Sequence, residues 1–162
     1  MPFKSLIIVD GYNVIYSSKV LKSLMSSNEK KAREALGEML FSIYSIESVR
    51  VMVVFDSNFE NIQIEYPYKD KLFEFIFAPK SLTADGVIEK IILRIKNKAS
   101  ITVVSNDNLV REATRSNGSI VIRPNELFEW VEASNKSLNE RSNHTKNPKI
   151  IENRINIDLN ID

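Results

Sequence analysis

Five short apolar runs divide the chain: Leu6–Val9, Val49–Phe55, Leu72–Phe77, Ile101–Ser105 and Ile120–Ile122. They are rich in Val, Ile and Phe and are apolar nearly throughout instead of alternating. That pattern predicts parallel strands buried on both faces. Between the runs, apolar positions recur every three or four residues. Over Asn28–Ile46 they are Ala32, Ala35, Leu36, Met39, Leu40 and Ile43, with Asn28 placed to cap a helix. Over Thr83–Lys98 they are Val87, Ile88, Ile91, Ile92 and Ile95, with Thr83 as the cap. A third helix, Asn108–Ser116, stops at Asn117-Gly118. A fourth, Pro124–Ala133, has proline in its first turn. Strand and helix alternate, which predicts an α/β fold: a doubly wound parallel sheet of about five strands with helices on both faces.

The pattern changes at Ser134. Residues 134–162 hold seven asparagines, mixed charges and no sustained apolar face. This reads as a polar, disordered or partner-binding tail after a domain spanning residues 1–133. From Ile155 apolar and polar residues alternate through Ile157, Leu159 and Ile161, as they do in a strand.

Composition narrows the chemistry. The 162 residues, 43% apolar, suit one domain with a real core. No run reaches the roughly 18–20 apolar residues of a membrane span. The first residues, Met1-Pro2-Phe3-Lys4-Ser5, lead straight into a strand without the apolar stretch of a signal peptide, so the expected location is cytoplasmic. The chain has no cysteine, which excludes disulfides, zinc–thiolate sites and cysteine nucleophiles. Its one histidine, His144, lies in the polar tail, which disfavours a Ser-His-Asp triad. A metal would have to be held by oxygen, which suits Mg²⁺ or Mn²⁺. The net charge of +1 argues against holding nucleic acid by bulk charge alone.

Carboxylates recur where strands end. Asp10 follows Leu6–Val9, Asp56 follows Val51–Phe55, and Asp107 lies three residues past Val104. Asp85 lies at the start of the helix after Phe73–Phe77, with Glu89 one turn further on the same face. In open α/β sheets, sites form beyond the carboxyl ends of strands where the strand order reverses. With the first strand central, these acids converge there. Clustered carboxylates repel one another unless a cation neutralises them. The arrangement therefore predicts metal-assisted phosphodiester hydrolysis with Mg²⁺ or Mn²⁺ held by Asp10, Asp56, Asp85, Asp107 and Glu89. For any one of these aspartates, capping a helix is an equally good reading; their joint placement favours a site. Glu89 alone reads more readily as an exposed helix residue paired with a lysine.

Asn13, in Gly11-Tyr12-Asn13, is placed to orient Asp10, and Ser105 and Asn106 flank Asp107 on its N-terminal side. Lys80, Arg111, Arg115 and Arg123 lie near the same end and are candidates for RNA phosphates. Tyr66 and Tyr68 are weaker candidates for base stacking.

Four blocks, IIVDGYNVI at 7–15, VVFD at 53–56, LTADGVIEKI at 82–91 and VVSND at 103–107, occur in an order that resembles the NYN-domain group of PIN-like ribonucleases, in particular its YacP-like branch. The resemblance implies a PIN-like fold with the five predicted strands ordered 3-2-1-4-5. It implies divalent-metal-dependent endoribonuclease activity, with Asp10, Asp56, Asp85, Asp107 and Asn13 as site residues. The branch includes a bacterial ribosome-associated enzyme that cuts mRNA, so mRNA is the implied substrate and the ribosome an implied partner. One position departs from the pattern: many members carry a second acid where this chain has Gly86. That departure keeps open a non-catalytic RNA- or ribosome-binding module on the same fold. A receiver domain or an aspartyl phosphatase fits poorly, because Asp10 lacks the neighbouring acid that either would need.

Overall fold

In a computed structural model that describes residues 5–144, the sheet is built outward from β1 (Leu6–Asp10). β1 pairs in parallel with β2 (Arg50–Phe55) on one side and β5 (Ile101–Val104) on the other. β4 (Phe73–Phe77) adds to β2, and β6 (Ile120–Ile122) adds to β5, both parallel. The predicted strands thus stand in the order 3-2-1-4-5 that the resemblance implied. A sixth strand, β3 (Gln63–Glu65), pairs antiparallel with β4 and completes the order β3-β4-β2-β1-β5-β6. β3 has no signature in the apolar pattern, because all three of its residues are exposed.

Successive side chains on each strand enter opposite layers. On one face Ile7, Val9, Val53, Phe55 and Phe75 meet α1 (Gly11–Tyr16), α2 (Lys19–Ser27), α3 (Glu29–Glu47) and α6 (Pro124–His144). On the other, Leu6, Ile8, Val54, Ile76 and Val103 meet α4 (Thr83–Arg94) and α5 (Asn108–Ser116). Both faces are covered, which is why the strands read as continuous apolar runs. Arg50 and the buried Glu74 pair at 2.6 Å at the amino-terminal end of the sheet.

Some boundaries differ from expectation. Asn28 caps α3 as predicted, its side chain accepting the Lys31 N–H at 3.2 Å. Thr83 does not cap α4. Its φ is 68°, and the helix-start donor at Ala84 goes to Asp56 Oδ1, just past β2, at 2.8 Å. Helices α1 and α2 occupy a stretch to which the hydrophobic pattern assigns no element. Ser18 caps α2 by accepting the Leu21 N–H at 3.2 Å, a signal that was present beside Val20, Leu21, Leu24 and Met25. The expected disordered tail begins as helix instead: α6 runs unbroken across residue 133 to His144, and Ser134 is buried. The alternating stretch from Ile155 lies outside the described residues. Among the described residues no helix is long and apolar enough to cross a membrane.

Candidate functional site

β1 lies where the strand order reverses, since the chain builds first to one side of it and then to the other. Asp10 is the last residue of β1 and Gly11 the first of α1, so the strand turns directly into helix. A Cβ at Gly11 would lie 2.4 Å from the Phe55 ring and 3.0 Å from the Val54 carbonyl oxygen. Glycine lets α1 begin against β2 and presses Asp10 into the interior, where it is 7% exposed.

A hydrogen-bonded frame fixes Asp10. Ser105, fully buried at the end of β5, donates its hydroxyl to Asp10 Oδ2 at 2.8 Å. The same hydroxyl oxygen accepts the Asp107 N–H at 3.0 Å. Beneath it Arg111, 6% exposed, donates from Nη1 to the Ser105 carbonyl at 3.0 Å. Asn13 Oδ1 accepts the Asn106 N–H at 2.8 Å and so ties α1 to the β5–α5 loop. Arg123 donates to Asn106 Oδ1 at 3.1 Å. Asp107 caps α5, its Oδ1 accepting the Leu109 and Val110 N–H groups at 2.9 and 3.2 Å.

The other half of the site is more open. Asp56 follows β2 and is exposed, with Oδ1 bonded to the Ala84 N–H. Asp85, in the first turn of α4, is exposed beside it.

Two of the four aspartates respond to the others. Burial pushes the Asp10 carboxyl up to about 7; the Ser105 hydroxyl opposes this, and the charges of Asp85, Asp56 and Asp107 add to it. Asp85 is also raised, by burial first and then by Asp107 and Asp56. Glu89 is exposed one turn along α4 and is not among the charges that move either group.

Asp10, Asp56 and Asp107 share a second property. Each engages the protein through one carboxylate oxygen. The other oxygen accepts no hydrogen bond from the described residues. Fixed carboxylates with an oxygen to spare are the kind of donor that a hard cation takes. Among the described residues, no group of three or more acidic or histidine side chains stands close enough together to hold a metal ion as placed.

The basic candidates separate. Arg111 is buried under the frame and is positioned for support instead of contact with a phosphate; burial lowers its pKa, followed by the nearby charges of Arg123 and Arg115. Arg115 and Arg123 are exposed on that side. Lys80 is exposed and pairs with Glu60 at 2.6 Å. Tyr68 packs against Phe41 and Phe73, at 4.7 and 4.9 Å between ring centres, so it belongs to the core. Gly86 sits against Leu82: a Cβ there would lie 2.7 Å from Leu82 Cδ1, so the space of the missing acid is occupied by an apolar side chain.

Beside Asp56 a cleft of about 410 Å³ opens between α1, α3 and the loop after β2. Arg33, Phe59 and Phe77 line it together with Tyr12 and Asp56. Of these the sequence marks Asp56 as a site residue and places Phe77 in a predicted strand; Arg33 and Phe59 carry no local signal.

Comparison with known proteins agrees with the architecture. The family described as the YacP-like NYN domain matches residues 7–160. The protein YacP of Bacillus subtilis is 30% identical over 137 residues, spanning 84% of this chain and 80% of YacP. The crystal structure of Rae1 (YacP) from Bacillus subtilis superposes with a TM-score of 0.75 at 27% identity, covering 99% of this chain and 90% of that one. A single-substitution mutant of the same protein gives the same TM-score over 91% and 89%.

Proposed function

Since the chain belongs to the YacP-like NYN family, which is of nuclease type, we propose that it is a divalent-metal-dependent endoribonuclease acting at the four aspartates. One observation carries this reading. Asp10, Asp56 and Asp107 come from three separate segments, and each is fixed through one oxygen and open at the other. Asp85 adds a fourth charge. These residues would hold Mg²⁺ or Mn²⁺. When bound, such a cation polarises a phosphodiester and lowers the pKa of water.

The protein's own groups do the positioning. Ser105 fixes the orientation of Asp10, and Asn13 and Arg123 hold the loop that carries Asp107. Arg123, bonded to the loop that carries Asp107, supplies positive charge for flanking RNA phosphates, with Arg115 exposed further along α5. The resemblance in sequence extends the proposal to mRNA as substrate, the ribosome as partner and a cytoplasmic location.

A second reading, an RNA-binding module without cleavage, draws on Gly86 and the Leu82 side chain beside it. Cleavage of a mixed RNA pool with Mn²⁺, Mg²⁺ or EDTA separates the two, with wild type run beside Asp10→Asn/Asp107→Asn. Metal-dependent cutting that disappears in the double variant is the expected result. RNA binding without cutting under any metal would replace the nuclease by the binding module.

A further inference from the structure

We propose that the cleft beside Asp56 is a nucleotide subsite, seating one unpaired base of single-stranded RNA next to the phosphodiester at the aspartates. This rests on the RNA-directed reading above and adds to it where the chain of the substrate runs.

The cleft is continuous with the acidic site because Asp56 lines both. Its volume, about 410 Å³, falls at the lower end of the roughly 300–1,000 Å³ typical of small-ligand sites. A stacked, paired base has its faces covered by neighbours; an unpaired base offers a free face to an aromatic platform. Phe59 supplies one. It is 42% exposed, which for a lone surface aromatic would mean little. Here the ring is held in place. The Phe59 N–H donates to Ser57 Oγ at 3.2 Å, its carbonyl accepts the Lys80 N–H at 2.9 Å, and its ring meets Phe77 edge-on at 6.0 Å. Ser57 in turn donates to the Ala78 carbonyl. The loop is therefore built before any ligand arrives, and a base that stacks on it has little ordering left to do.

Arg33 supplies the charge. Its guanidinium lies over Phe77 at 5.4 Å and over Phe55 at 5.9 Å, and Nη1 donates to the Tyr12 hydroxyl at 3.2 Å. Its acidic partner is Glu29 at 3.9 Å, whose side chain is 66% exposed. So long and wet an ion pair contributes little, which leaves the charge of the held guanidinium available to a phosphate. Asn58, exposed on the same rim, can both donate to and accept from a base edge. Aromatic platform, fixed cation and amide together match a nucleotide better than an apolar ligand or a protein helix.

The test is binding of a fluorescent five-nucleotide single-stranded RNA, measured by anisotropy with Ca²⁺ and again with EDTA. Wild type is compared with Phe59→Ala, Arg33→Ala and Arg33→Lys, with thermal melting to confirm folding. Phe59→Ala is expected to weaken binding at least ~5-fold, the lower end for loss of one stacked base. Arg33→Ala should do the same, and Arg33→Lys should recover part of the loss. An RNA lacking one base should lose the same factor with wild type and nothing further with Phe59→Ala. Equal affinity of wild type and Phe59→Ala, or no binding by wild type in either buffer, overturns the subsite. Failure of the nuclease reading looks different: RNA is bound and responds to Phe59→Ala, yet no metal produces cutting.

Discussion

The two halves of the acidic site are built differently. On the β1–β5 side Asp10 is buried and enclosed by Ser105, with Arg111, Asn13, Asn106 and Arg123 bracing the loop around it. On the β2–β4 side Asp56 and Asp85 are exposed, and the Ala84 N–H is the bond that fixes Asp56. The first half is a rigid wall whose cost is a carboxylate that resists ionising. The second half is an approach, with the Phe59–Arg33 cleft at its edge. A site for a long polyanion needs both, a fixed reference for the reacting phosphate and an open side through which the strand enters.

Removing one acid from each half tests this division most severely. Asp10→Asn and Asp56→Asn should each lower RNA cleavage by at least ~10²-fold while the fold persists, read by single-turnover kinetics and circular dichroism. Full activity in Asp56→Asn would confine the site to the rigid half.

The next effect is on stability and has the opposite sign. The folded Asp10 carboxyl titrates near 7, against about 4 in an unfolded chain. The folded state therefore binds this proton more tightly. Its stabilising contribution is complete below about pH 4 and is lost as the pH rises to about 7. In EDTA, Asp10→Asn should gain on wild type across that window, by roughly 2–4 kcal/mol at pH 8 in urea titrations. A constant difference from pH 4 to 8 would mean that Asp10 is not under strain.

Arginines on the rigid side give a smaller contrast. Arg111→Ala removes a buried donor from the Ser105 carbonyl and should cost about 1–3 kcal/mol of stability. Arg123→Ala, at the exposed end of the same network, should cost less than about 1 kcal/mol. Equal losses would show the frame to be stressed uniformly. The smallest effect is expected at Glu89→Gln, within about threefold of wild-type cleavage. A loss near ~10²-fold would carry the open half a full turn along α4.

Much of this was legible in the chain because burial and chemistry coincide. Strands buried on both faces show as apolar runs, and the site acids end or follow those runs at Asp10, Asp56 and Asp107. The features without a local signal depend on tertiary context. β3 buries none of its three residues and so has no hydrophobic signature. Arg33 looks like any helix-surface cation until Phe77, far along the chain, is packed beneath it. Arg111 looks like a phosphate contact in the chain alone, since nothing local marks its burial under Ser105. The helical part of the tail misled for a different reason. Its composition would not start a helix, but α6 is already nucleated by Leu127 and Val131 against the core, and extending a helix is far easier than beginning one.

Both borders of the sheet end in strands of three residues, β3 and β6. A border so short exposes few unpaired backbone groups, and β3 carries Glu65 within it. It offers an added chain little to pair with. Among the described residues, the architecture that keeps the central strands dry enough to hold Asp10 is thus bordered by strands that offer little to pair with.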